Sequence, residues 1–295
     1  MPGLNGVTRP LSRISPGWIG LAVALEVLSG VGYVIAFQLV FARVPERTAA
    51  RVAWAEMAFQ AVVPAGGAGG FVLGGWLLHE RGTPWGRIVE RSAVLFLLTS
   101  AINVAALAIF GFLLAVGIVP GPHRLLLGAL PAVVGAAVLV FAIALPRILT
   151  SAASTRAREH TRLTRTLEGL AESIRDTERF LLRGDWRLVG AVGYLAFDIM
   201  VLWVFLRGLG GPPDASPLVL GYLIGYLANA IPIPGGIGAL DGGLVGALAA
   251  YGVGGATATS AVLAYHAIAL AVPLVIGTIA FVVLRRQVVE PITGP

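Results

Sequence analysis

Four carboxylates and one histidine stand in apolar segments: Glu26, Glu56, Asp198, Asp241 and His266. An ionisable group at mid-bilayer costs at least about 2.5–3.5 kcal/mol, so each is a candidate for function. Such carboxylates can meet a cationic headgroup or carry a proton, and a lone histidine titrates near neutral pH. On a helix, Glu56 shares a face with Gln60, four residues on. Asp241 follows "NAIPIPGGIG", Asn229 to Gly238. There Pro232 and Pro234 disfavour helix, and Gly235, Gly236 and Gly238 permit close backbone approach. A half-helix starting near Ala239 would present free N–H groups with partial positive charge, suited to phosphate or carboxylate. Asp241, in its first turn, either reads a ligand or offsets the helix dipole.

Other chemistries have no support. The chain has no cysteine, which removes disulfides, thiolate metal sites and a cysteine nucleophile. The four histidines, His79, His123, His160 and His266, have no metal-binding spacing, so no metal or other cofactor is expected. No phosphate-binding loop, nucleophile elbow or zinc-protease signature occurs. No catalytic constellation is visible, so the chain is not expected to be an enzyme. Transport by this chain alone would be passive or ion-coupled.

The elements that must position these residues are membrane spans. Of 295 residues, 57% are hydrophobic and 12% charged, about half the charge of a soluble domain; mean hydropathy is +0.87. All 21 basic residues are arginine, and the net charge of +6 suits contact with anionic lipid. It gives no reason to expect nucleic acid. Five runs are long enough to cross a bilayer, near Pro16–Ala42, Ser92–Val119, Leu125–Leu145, Leu188–Leu206 and Thr257–Leu284. The first is too long for a signal peptide. Two more apolar segments, 52–78 and 217–251, are broken by glycine and proline.

The polar segment Pro146–Arg187 holds nine arginines and six acids, which marks the cytoplasmic side. Leu163, Leu167, Leu170, Ile174 and Leu181 form one apolar stripe on a helix there. That stripe either lies on the membrane, covers the cytoplasmic end of the bundle or packs locally in a solvated connector. Counting crossings from this anchor, with Arg285 and Arg286 also inside, makes 217–251 a re-entrant hairpin entered from outside. Residues 52–78 are expected to form a second hairpin, entered from inside. That places the N-terminus, with Arg9 and Arg13, outside; a single crossing by 52–78 is the alternative and puts it inside.

The broken segments repeat. "QAVVPAGGAG" falls on "NAIPIPGGIG" at an offset of 169, matching Gln60 to Asn229 and Gly66, Gly67 and Gly69 to Gly235, Gly236 and Gly238; Pro64 lies within the first break. Interrupted segments at matching places in two halves point to a transporter substrate site. The expected organisation is a first membrane half, 1–146, an arginine-rich linker, 147–187, and a second half, 188–295. The fold class is an all-α polytopic membrane protein: five full helices and two broken-helix hairpins in an inverted repeat.

Pro232, Pro234, Gly235, Gly236, Gly238 and Asp241 spell P-x-P-G-G-I-G-x-x-D. This resembles the P-x-P-G-G-x-G-x-x-E motif of the lysylphosphatidylglycerol synthase transmembrane family, which includes lipid flippase regions. Val62 to Gly70 resembles its first broken segment. Asp241 stands where that family usually has glutamate, one methylene longer. The chain ends at Pro295 and is expected to lack the soluble aminoacyl-transfer domain. The resemblance implies translocation or binding of an anionic, aminoacylated or polyprenyl-phosphate lipid in the cytoplasmic (inner) membrane. The expected partner is membrane phospholipid or a lipid-linked substrate, with a homo-oligomer or partner enzyme as further expectations. An intramembrane lipid-modifying enzyme and a non-transporting partner subunit are the alternatives.

Overall fold

The computed structural model describes residues 14–63, 68–155, 162–211, 214–227 and 239–289. Among these, every regular element is helical. The first half comprises α1 (Pro16–Val40), α2 (Glu46–Val62), α3 (Ala68–His79) and α4 (Trp85–Ala115). Then come α5 (Leu130–Thr155), preceded by a π-helical turn at Arg124–Ala129, and α6 (Arg162–Arg183). The second half comprises α7 (Leu188–Gly208), α8 (Ala215–Tyr226), α9 (Ala239–Ala250) and α10 (Gly255–Val289). Five helices are long and apolar enough to cross a membrane: α1, α4, α5 with its leading turn, α7 and α10. The protein is therefore a multi-pass α-helical membrane protein.

At 1.5 Å per residue, the twelve-residue helices α3, α8 and α9 are each about 18 Å long. That is well short of a hydrocarbon core of about 30 Å. They pack in pairs, α2 with α3 and α8 with α9. A Cβ built on Gly225 would lie 2.6 Å from the Cα of Leu244, and Gly221 faces Leu248, so α8 and α9 run antiparallel in contact. Likewise Glu56 and Gln60 of α2 lie against Gly70 of α3. Both ends of the α2–α3 pair, at Arg43 and Thr83, line one cavity. Both ends of the α8–α9 pair, at Asp214 and Gly252, line another. Arg81, beside the first cavity, donates to the carbonyl of Leu284 near the end of α10. Trp18, near the start of α1, instead packs on Gly208 at the end of α7.

The packing repeats between halves. Exchanging α1 with α7, α2 with α8, α3 with α9 and α4 with α10 turns every well-packed pair of these helices into another well-packed pair. Thus α2 packs on α10, as α8 packs on α4, and α1 packs on α7 across the centre. Each apolar core borrows from the other half: Ala22 and Leu25 join the core of the second, and Ala191 and Leu284 that of the first. Lipid chains are as apolar as leucine, so close backbone approach holds such helices together. At the α1–α7 crossing, a Cβ on Gly32 would stand 2.6 Å from the carbonyl oxygen of Gly190. Gly111, Gly128 and Gly135 form a similar seam between α4 and α5.

Three boundaries differ from the sequence expectation. The first broken segment begins at Glu46 and the second full span at Trp85, because the polar residues preceding each apolar run join its helix. Pro146 lies inside α5, which continues to Thr155, into the expected linker. Of the predicted stripe on α6, Ile174 is buried, but Leu181 is 41% exposed; the side chains of Leu163, Leu167 and Leu170 lie outside the described residues. Ala171, Ser173 and Thr177 complete the buried face instead, and α6 packs across α4 and α5.

Candidate functional site

The sequence-selected charges fall into three groups. Glu56, on α2, is 2% exposed and accepts a hydrogen bond of 2.9 Å from the phenol of Tyr33 on α1. It fits there because α3 offers no side chain: a Cβ on Gly74 would collide with its Oε2, and one on Gly70 would lie 2.9 Å from its Cγ. Gln60 is one turn further on and half-buried, its Cβ against Gly70, and Gly69 is buried. The tyrosine of this pair was not visible as a site residue in the sequence. A phenol in an apolar span must find a partner, and that was the available signal.

The second group surrounds Asp198 on α7. The phenol of Tyr222, from α8, donates to its Oδ2. That of Tyr265, from α10, lies 3.1 Å from Oδ1 and 3.2 Å from Oδ2. Asp198 thus ties the first helix of the second pair to two full spans. Glu26 on α1 is 6% exposed and near enough to interact electrostatically with Asp198. Its Oε2 is buried without a hydrogen-bond partner among the described residues. A buried carboxylate without compensation is expensive, so Glu26 is the charge whose burial most needs an explanation.

The third group joins Asp241 and His266. Asp241 is in the first turn of α9, and its Oδ1 lies 2.6 Å from Nδ1 of His266 on α10. His266 is 6% exposed. Two residues singled out separately are in fact one hydrogen-bonded pair. Asp241 therefore faces a neighbouring span as well as its own helix terminus. Pro64, Gly66, Gly67, Asn229, Pro232, Pro234, Gly235, Gly236 and Gly238 lie outside the described residues.

Phenols connect the first two groups. The rings of Tyr33 and Tyr194 are 5.3 Å apart, and Tyr194 lies near Tyr226 and Asp198. Tyr226 stacks on Tyr222 at 5.5 Å, which meets Tyr265 edge-on at 6.1 Å. Five of the chain's six tyrosines therefore lie along one path from Glu56 to Asp198. The path runs where α1 and α7 cross, between the two helix pairs. The sixth, Tyr251, donates to the carbonyl of Leu127 in the π-helical turn.

A bundle of crossing helices, two short helix pairs and buried carboxylates held by phenols define a multi-pass membrane protein with a polar interior. The chain belongs to the family described as the lysylphosphatidylglycerol synthase TM region, whose profile matches residues 2–277. It is a family of membrane proteins linked to lipid handling. The chain is also similar to a UPF0104 membrane protein of Methanothermobacter thermautotrophicus, 33% identical over 98 residues. That match covers 33% of this chain and 28% of the relative.

Proposed function

We propose that this protein moves a lipid with an anionic or aminoacylated headgroup, or a polyprenyl phosphate, between the leaflets of the cytoplasmic membrane. The observation that carries this reading is the phenol path at the α1–α7 crossing, with a carboxylate anchored to each short helix pair. In this reading the pairs are re-entrant hairpins, entered from opposite faces, whose breaks receive the headgroup near mid-membrane. Irregular backbone at that depth is tolerated only where protein or a water-filled cavity covers it. The N–H groups opening α9 would take the phosphate. Glu26 with Asp198 would carry the coupling proton or meet a cationic headgroup. The arginine-rich end would face the cytoplasm.

The experiment is leaflet exchange of fluorescent phosphatidylglycerol, aminoacylated phosphatidylglycerol and a short polyprenyl phosphate in proteoliposomes. Exchange above that of protein-free liposomes, lost in Asp198→Asn, is expected. Rates equal to protein-free liposomes for all three lipids would sink the reading.

A second reading has its own observation. Asp241 and His266 form a hydrogen-bonded acid–base pair beside the second break, the arrangement that an intramembrane enzyme acting on a lipid headgroup needs. Mass spectrometry of labelled lipid incubated with the purified protein separates the two: a modified headgroup favours the enzyme, unchanged lipid the transporter.

A further inference from the structure

A large cavity lies at the arginine-rich end, away from the buried carboxylates. Its volume is about 980 Å³, at the upper end of the range for small-molecule sites. The turns between α1 and α2, α3 and α4, and α6 and α7 surround it. Six arginines line it, against two acids, Glu90 and Asp185. Three of the six are already engaged. Arg187 is bidentate to Asp185, at 3.2 and 2.8 Å. Arg91 pairs with Glu90 at 3.2 Å and with Asp176 at 3.7 Å. Arg81 donates to the carbonyls of Leu77 and Leu284. Arg43, Arg87 and Arg183 have no ion pair among the described residues. Each comes from a different part of the chain: the α1–α2 turn, the first turn of α4 and the last of α6.

Arginine excess on one side of a membrane needs no ligand to explain it. Convergence is a different matter: Arg43, Arg87 and Arg183 are exposed, but like charges gathered around one concave space focus a positive potential that attracts an anion. Burial, and then the neighbouring charge of Arg51, push the Arg81 guanidinium below its ordinary value. The walls are not uniformly polar either. Ala42, Val44, Pro84 and Phe180 add an accessible apolar surface beside the guanidinium groups. Free phosphate has no use for that surface, whereas the glycerol and first methylenes of a lipid do.

We infer that this cavity binds the phosphate headgroup of an anionic phospholipid, held by Arg43, Arg87 and Arg183 with the lipid backbone against Val44 and Phe180. Guanidinium forks match phosphate oxygens in pairs, and basic pockets between spans are suited to anionic headgroups. The site is separate from the α1–α7 crossing and does not depend on the transport reading.

The test uses the full chain in detergent and measures binding of dihexanoyl phosphatidylglycerol, dihexanoyl phosphatidylcholine and pyrophosphate. Phosphatidylglycerol should bind roughly tenfold or more tightly than phosphatidylcholine. Replacing Arg43, Arg87 and Arg183 together by glutamine should weaken it by at least about tenfold, as expected when charge-assisted bonds are lost. Arg124→Gln, at the other end of the bundle, should leave it unchanged. Unfolding midpoints of both variants show whether the fold is retained. Pyrophosphate binding as tightly as phosphatidylglycerol, and lost in the triple variant, would overturn the lipid assignment while keeping the phosphate site. Phosphatidylglycerol binding that survives in a folded triple variant, or no preference over phosphatidylcholine, would overturn the proposal. If the triple variant does not fold, Arg87→Gln and Arg183→Gln alone are read in the same way.

Discussion

The phenol of Tyr33 donates to the carboxylate of Glu56 across 23 residues of chain, and in the second half the phenol of Tyr222 donates to Asp198 across 24. Each bond ties a full span to the first helix of the short pair that follows it. The roles are exchanged: the acid is on the pair in the first half and on the span in the second. The two halves thus keep a tether at one place in the architecture while inverting its chemistry. This leaves one helix pair presenting a carboxylate and the other a phenol.

Tyr33→Phe removes the only hydrogen-bond donor to Glu56 among the described residues. A buried acceptor left unsatisfied costs about 1–3 kcal/mol, more if charged. The expected result is a lower unfolding midpoint in detergent, followed by tryptophan fluorescence. Combining it with Glu56→Met, which removes the orphaned group, should cost less than the two single changes added together. Strict additivity would mean that the bond contributes nothing.

Glycine changes should separate touching helices from free ones. Gly32→Ala meets the backbone of α7, and Gly74→Ala meets the carboxylate of Glu56; each should destabilise by about 1–3 kcal/mol through overpacking. A Cβ at Gly20 or Gly246 meets nothing within 4 Å, so alanine there should be neutral or slightly favourable. Monodispersity and thermal midpoint of the four purified variants provide the comparison.

Asp198 has two phenol donors, and this orders the expected losses. Tyr265→Phe leaves Tyr222 in place and should reduce leaflet exchange modestly. Tyr222→Phe combined with Tyr265→Phe strips both donors and should approach Asp198→Asn, with exchange reduced about tenfold or more. Equal rates in all variants would remove Asp198 from the translocation path.

The absence of cysteine makes sidedness easy to measure. Single cysteines at Thr83 and Val44, which line the arginine-rich cavity, should react with a membrane-impermeant maleimide from the same face. Cysteines at Asp214 and Gly254, which line the opposite cavity, should react from the other. Labelling of Thr83→Cys and Val44→Cys from opposite faces would refute the hairpin for the first pair.

Much of this molecule was legible in its residue order. Apolar runs longer than a bilayer is thick announce helices, because unpaired backbone polar groups are not tolerated in hydrocarbon. Glycine and proline at positions 64–69 and 232–238 singled out the two broken segments. Glu56 and Asp198 could be singled out because charge in such sequence is costly. The helical boundaries were less legible, since Arg47, Arg51 and Arg87 continue helices whose apolar part begins later.

What residue order determined by itself was the class of protein, its repeat and the carboxylates and histidine that had to be explained. Those follow from length, hydropathy and rarity, each a local property. Only the tertiary structure decided the pairings: Asp241 with His266, Glu56 with Tyr33, Asp198 with Tyr222 and Tyr265. Partners 23 to 67 positions apart meet because helices cross at glycine contacts such as Gly32–Gly190. Such a crossing depends on the shape of two surfaces together, and neither strand of sequence carries it alone.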